Sequence, residues 1–329
     1  MSHRITIIGD GGWGTALAVT LAGAGRDIAV WGPFADQVAE IRDQHENKTF
    51  LPGVALPESI TWTADRQEAA AGAEVIILAV PSRYYREVAE SFAPYVTPES
   101  FIVSVAKGLE EKSHRRMTEV AADALDCGHV AALSGPSHAE EVARGVPTAV
   151  VLATTDARAA ALQELLATPR FRVYTTDDVA GVELGGAMKN VIAVAVGVSD
   201  GLGFGDNTRA ALIARGLAEM TRLGVALGAS ASTFAGLSGM GDLIATCTSR
   251  HSRNRSVGER LGKGESLTHI QSGMKQVAEG VWNCAGMCEL AERHAVDAPI
   301  ATEVHAIIHE GKAPLDAVES LLARAYKPE

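Results

Sequence analysis

The chain has 329 residues, 47% of them hydrophobic and 21% charged, with a net charge of −11. That length suits two globular domains, and the composition is ordinary for a folded protein. The acidic balance, with no basic arm, argues against nucleic acid as a partner, so an anionic ligand needs a local basic pocket acting against the overall field.

Residues 4–8 (RITII) read as a strand, followed by the glycine loop GDGGWG at 9–14 and a helix over WGTALAVTLAGAG ending at 23–25. DIAVW at 27–31 is a second strand, which completes a βαβ unit of about 30 residues with the glycine loop at its first turn. EVIILAV (74–80) is a buried strand stopped by Pro81, and SRYYREVAESFAPYV (82–96) is a helix. Next come a strand in FIVSVAKG (101–108), a helix in HRRMTEVAADALD (114–126) and a strand in HVAALSGPS (129–137). TAVVLAT (148–154) and FRVYTT (171–176) are further strands flanking a helix in DARAAALQELLA (156–167). Strands alternating with helices predict a doubly wound, mostly parallel sheet.

From about residue 179 helical patterns dominate: 179–199, 207–228, 256–262, 284–294 and 315–325. The expected architecture is a Rossmann-type α/β domain over 1–180 and an all-helical domain over 181–329 that carries the substrate site. The longest apolar stretch, near 187–198, contains Lys189 and Asn190 and reads as a buried helix, so no membrane span is expected. The first apolar run, ITII, is too short for a signal peptide. Cys127, Cys247, Cys284 and Cys288 form no CxxC pair, and no histidine cluster has metal spacing. Scattered thiols of this kind suit a reducing cytoplasm and no metal.

Three constellations carry chemistry. In the first, Gly9, Gly11 and Gly14 have the G-x-G-x-x-G spacing of a dinucleotide loop. One glycine makes the turn, one admits the pyrophosphate and one lets helix pack on strand. Asp10 stands between the first two, and its side chain is expected to turn away from the phosphates, toward solvent or a neighbouring polar group. The second strand ends Val30-Trp31-Gly32-Pro33, with neither the acid that grips an NAD ribose nor an arginine for a 2′-phosphate. NAD and NADP both remain open, with a lean to NADP.

The second constellation is Lys189. Between 184 and 198 it and Asn190 are the only side chains that are neither apolar nor glycine. A lysine on a helix apolar nearly all round must snorkel or face a polar cleft. Asp242 is its natural partner. The third is Arg250, Arg253 and Arg255 with Ser249, Ser252 and Asn254, a basic patch whose arginine forks suit phosphate oxygens. Lys107 follows a strand at the carboxyl edge where such sheets bind ligands. Ser137 is expected to open a helix, and His138 to be structural. Together these suit hydride transfer to a small phosphorylated carbonyl, and a two-domain hydroxy-acid dehydrogenase is the alternative.

Several segments carry a resemblance: GDGGWGTALA, NKTFLPG, AVPS, AKGLE, SGPSHAEEVA, ELGGAMKNVIAVAVGVSDG, GLSGMGDLIATCTSRHSRNR and VAEGV. In this order along the chain they resemble the bacterial type of NAD(P)-dependent glycerol-3-phosphate dehydrogenase. The resemblance implies a cytoplasmic homodimer that interconverts dihydroxyacetone phosphate and sn-glycerol 3-phosphate for phospholipid synthesis. It implies that Lys189 is the catalytic acid/base. It further implies substrate contacts at Lys107, Gly135, Ser137, Lys189, Asp242, Ser252, Arg253 and Asn254. Cofactor contacts are implied at Gly12, Trp13, Pro33, Lys107, Ala139, Arg253, Val277 and Glu279. Pro33 stands where the family carries a basic residue or histidine, and Asp10 where it carries a small apolar one.

Overall fold

The structure is a computed structural model that describes residues 4–274 and 278–325. The chain divides into two compact units, Met1–Glu183 and Leu184–Glu329, and the division falls inside the long helix Val179–Gly201.

The first unit is built on eight strands: β1 (Arg4–Ile8), β2 (Asp27–Trp31), β3 (Thr61–Thr63), β4 (Val75–Leu78), β5 (Phe101–Ser104), β6 (Val130–Ser134), β7 (Thr148–Ala153) and β8 (Phe171–Thr176). They form one sheet in the order β3-β2-β1-β4-β5-β6-β7-β8. All neighbours are parallel except β6 and β7. The order reverses direction between β1 and β4, so the carboxyl end of β1 is the switch point where such sheets leave a crevice. Isoleucine, valine and leucine runs in β1, β4 and β5 are buried on both faces, as strands covered by helices on each side must be.

Several elements differ from their expected bounds for local reasons. The helix at 82 stops at Phe92 and tightens into a 3-10 turn over Ala93–Tyr95, because Pro94 has no N–H to continue the ladder. The helix expected from 114 starts at Met117, since His114 has φ +56° and Arg116 caps the helix. The helix expected to open at Ser137 opens at Ala139 instead, with His138 in the cap position. The three-residue β3 and the helix Ala35–Gln44, whose buried stripe is only Val38 and Ile41, are additions to the expected set.

The second unit is helical throughout its described residues: Asp206–Ala226, Ala231–Phe234, Asp242–Thr248, Arg253–Gly262, Leu267–Ser272, Glu279–Arg293, Pro299–His309 and Pro314–Leu322, after the end of Val179–Gly201. Val179–Gly201 is long and apolar enough to cross a membrane, but 83% of its most apolar window is buried inside the protein. Pro299–His309 has no local cap. Buried Glu219 supplies one, accepting from the backbone N–H of Ile300 at 3.0 Å and of Ala301 at 2.9 Å. Burial pushes the Glu219 carboxyl up to about 7.

Two helices meet backbone to backbone. Gly197 and Gly201 on Val179–Gly201 face Gly258 and Gly262 on Arg253–Gly262, each pair at i, i+4 spacing. A Cβ on Gly197 would lie 2.0 Å from the Arg255 carbonyl oxygen, and one on Gly258 would lie 2.1 Å from that of Val194. This crossing brings the start of the second helix against residue 190 of the first. Gly258→Ala must therefore force the helices apart. It is expected to cost about 1–3 kcal/mol, read as a lower midpoint in urea unfolding, and an unchanged midpoint would refute the contact.

Candidate active site

The glycine loop leaves β1 at Gly9, whose φ of +117° only glycine adopts readily, and a Cβ there would lie 2.6 Å from the Ala79 carbonyl oxygen. Gly14 fits because its helix packs onto the loop: a Cβ would lie 2.1 Å from the Gly9 oxygen. Gly11 is different, since a Cβ there would meet nothing within 4 Å. It is the cap of the helix Gly12–Ala22, with no side chain bonded to the first-turn amides. An open space over uncapped helix N–H groups suits a pyrophosphate. Gly12 is flanked by Phe50, whose carbonyl oxygen would lie 2.7 Å from its Cβ, and by Ala139, so two expected cofactor positions, Gly12 and Ala139, are neighbours, with Trp13 next to Gly12 in the chain. These residues fit a dinucleotide diphosphate.

Asn47 holds this loop. Almost fully buried, it donates to the Asp10 carbonyl at 2.7 Å and to Thr15 Oγ1 at 2.9 Å. Its own Oδ1 accepts from the Phe50 N–H at 3.1 Å. The residue stands in the NKTFLPG segment, but nothing in its spacing announces the role. Asp10 itself turns toward a polar neighbour and not toward solvent. It is 5% exposed, and Oδ2 accepts from Gln37 Nε2 at 3.1 Å. Burial pushes its carboxyl up to about 6. Pro33 is exposed just beyond the end of β2.

At the carboxyl edges of β5 and β6 the fold brings Lys107, Gly135 and Ser137 together. Lys107 Nζ donates to the Gly135 carbonyl at 2.8 Å and to Ser137 Oγ at 3.3 Å, and Ser137 Oγ donates to the same carbonyl at 2.8 Å. Gly135 makes this possible with a φ of +137°.

In the second unit, Lys189 is 4% exposed, so it does not snorkel. Nζ donates to Thr246 Oγ1 at 2.7 Å and Asn190 Oδ1 at 3.0 Å, with Asp242 Oδ1 at 3.4 Å as the buried counter-charge. Thr246 in turn donates to Asp242 Oδ1 at 3.3 Å. Asp242 and Thr246 are four apart on one helix, which a π-type turn over Leu237–Gly241 precedes. Asn254 locks the cluster from the other side, donating to Asn190 Oδ1 at 2.9 Å and accepting from the Gly280 N–H, also at 2.9 Å. Glu279 is the residue before that N–H. Thr246 was absent from the expected set, although its i+4 relation to Asp242 is visible in the sequence.

The basic patch is corrected in part. Arg255 turns into its own unit, pairing with Asp200 at 2.7 Å and Glu259 at 3.2 Å, so it offers nothing to a ligand. A pocket lined by Arg250, His251, Ser252, Arg253 and Arg260 remains. Ser252 Oγ accepts from the Arg255 N–H at 3.2 Å, which caps the helix that carries Arg253 and Asn254. Burial pushes the neighbouring Cys247 thiol up to about 12, so it is an inert thiol. Val277 lies outside the described residues.

Two family models together cover most of the chain. The N-terminal model of NAD-dependent glycerol-3-phosphate dehydrogenase matches residues 4–160 and the C-terminal model matches residues 178–319. The chain belongs to the NAD-dependent glycerol-3-phosphate dehydrogenase family. A relative in Pelotomaculum thermopropionicum named glycerol-3-phosphate dehydrogenase [NAD(P)+] is 48% identical, the match covering 100% of this chain and 95% of that one. One in Streptomyces griseus with the same name is 47% identical, covering 100% and 99%. The crystal structure of glycerol-3-phosphate dehydrogenase from Coxiella burnetii superposes with a TM-score of 0.94 at 42% identity, over 98% of this chain and 99% of that one. The chain is thus an oxidoreductase of an NAD(P)-dependent family, with a Rossmann-type sheet and a helical C-terminal unit.

Burial of Asp10 makes a pH-dependent prediction. Its folded pKa lies above the unfolded value, so the folded state binds the extra proton between about pH 4 and pH 6 and loses stability as pH rises through that window. Above it the full cost, roughly 3 kcal/mol at most, is present. Asp10→Asn is therefore expected to raise the unfolding free energy at pH 8 and to gain clearly less at pH 5. Equal gains at both pH values would contradict the assigned burial.

Proposed function

We propose that this protein reduces dihydroxyacetone phosphate to sn-glycerol 3-phosphate with NAD(P)H, and that Lys189 is its general acid. The observation that carries the reading is a lysine buried in an apolar helix, surrounded by acceptors that fix Nζ and by one carboxylate that balances its charge. Such a group is costly to bury and has a use where a proton must be delivered away from water. When bound, the dinucleotide supplies the hydride.

As hydride reaches the C2 carbonyl, negative charge grows on its oxygen, and Lys189 gives that oxygen a proton. Asp242 and Thr246 orient Nζ, and Asn190 and Asn254 keep the pair in place. Arg253, with Asn254 beside it, anchors the phosphate, and Lys107 with Ser137 forms a second polar contact for substrate or cofactor. Anchoring one end of a small substrate holds its reacting carbon in place, which lowers the entropic part of the barrier. Gly9, Gly11, Gly12, Trp13, Gly14 and Ala139 cradle the cofactor. We assign the product to phospholipid backbone synthesis and the protein to the cytoplasm as a homodimer; four unpaired cysteines suit that reducing setting.

Steady-state reduction of dihydroxyacetone phosphate, with NADH and NADPH in parallel and dihydroxyacetone as control, tests the substrate. Turnover of the phosphorylated ketone alone is expected. Lys189→Ala is expected to lower kcat by about 10²–10⁴-fold while nucleotide binding by fluorescence titration is retained; near-normal turnover would remove Lys189 from the role. Arg253→Ala is expected to raise KM for dihydroxyacetone phosphate with a smaller change in kcat, and an unchanged KM would dismiss the phosphate anchor.

A further inference from the structure

NAD and NADP differ at one place, the 2′ position of the adenosine ribose, which carries a hydroxyl in one and a phosphate in the other. In a doubly wound sheet that position lies at the tip of the second strand, where an acid grips the hydroxyl. Here the tip is Gly32 and Pro33, so the strand itself brings no acid.

The fold brings one from elsewhere. A Cβ on Gly32 would lie 2.4 Å from Asp10 Oδ2 and 2.8 Å from Asp10 Cγ. The Asp10 carboxylate therefore occupies the space that the first side-chain atom at the tip would otherwise fill. Three bonds fix it there. The Gly9 N–H donates to the Trp31 carbonyl at 2.9 Å, tying the loop to the end of β2. Asn47 holds the Asp10 carbonyl, and Gln37 donates to Oδ2. A carboxylate has about four lone-pair sites; Gln37 and the backbone N–H of Asp10 itself use two of them.

The surrounding charge points the same way. From 32 to 44 the chain has Asp36, Glu40 and Asp43 against one arginine, Arg42, which pairs with Asp43 at 3.5 Å. One cation lies near, Arg66, which stacks on the Trp31 ring at 5.2 Å and donates from Nε to Ser91 Oγ at 2.9 Å. At the Gly32 position itself a 2′-phosphate would meet a fixed carboxylate, whereas a hydroxyl would meet an acceptor.

We propose that Asp10 is the specificity-determining residue of the cofactor site, accepting from the ribose 2′-hydroxyl and opposing a 2′-phosphate, so that the protein selects NAD(H) over NADP(H), the reverse of the lean that the strand tip alone gives. The inference rests on the reading of the glycine loop as a dinucleotide site. An acid that looks misplaced in the loop does the work of the acid missing from the strand.

Direct binding tests it without turnover. Nucleotide fluorescence titrations are expected to give NADH a Kd at least tenfold below that of NADPH in the unmodified protein. Asp10→Asn keeps the shape and the Gln37 contact, and is expected to shrink that ratio at least tenfold, mainly through tighter NADPH binding. Gln37→Lys, which leaves Asp10 in place but pairs it with a cation, is expected to shrink the ratio as well. Equal affinities in the unmodified protein, or an Asp10→Asn variant that changes both Kd values by one factor, would overturn the proposal and leave the dehydrogenase reading standing. If the unmodified protein bound neither nucleotide, the dinucleotide site itself would be refuted, and the proposal with it.

Discussion

A charged amine inside an apolar helix is the constraint on which the second unit is organised. Lys189 lies where nearly every neighbour on its own helix is aliphatic, so apart from Asn190 its partners come from other segments. Asp242 and Thr246 arrive on a helix set by a π-type turn, and Asn254 arrives on a helix started by a serine cap. The glycine crossing between 197–201 and 258–262 lets that last helix come close enough for Asn254 to reach Asn190. Removing any one of these devices would leave buried polar groups without partners, which costs more than the bonds themselves contribute.

The first unit solves a different problem, that of keeping a ligand-binding loop rigid while its amides stay free. The loop's own side chains cannot cap the helix behind it, because a cap would take up the N–H groups a phosphate needs. Rigidity is supplied from behind instead. Asn47 bonds the loop's carbonyl side, the Gly9 amide bonds β2, and Gly14 packs the helix down. Asp10 belongs to this support, and its burial shows how little freedom the loop retains.

Much of this was legible in the sequence because it depends on local pattern. The glycine spacing between a strand and a helix located the switch point, and the lone lysine in an aliphatic helix pointed to the buried polar cluster around Lys189. Other features depend on distant contacts and leave no local trace. Thr246 and Asn47 are ordinary polar residues until the fold places them beside Lys189 and Asp10. Arg255 looked like a member of the basic patch, but Asp200, 55 positions earlier, draws it inward. Residues 35–44 carry too thin an apolar stripe to announce their helix, and β3 is too short to show a period.

The remote cap on Pro299–His309 ties local structure to global assembly. That helix starts with a proline and has no acceptor of its own for its first amides, so its stabilising bonds come from Glu219, about eighty positions away. A segment of this kind gains little by forming early, since its end is satisfied only after a long loop has closed. The start of this helix is thus satisfied only when two distant parts of the unit have been joined. For a chain emerging from the ribosome N-terminus first, this cap can form only once residues 300 and 301 have followed Glu219 out.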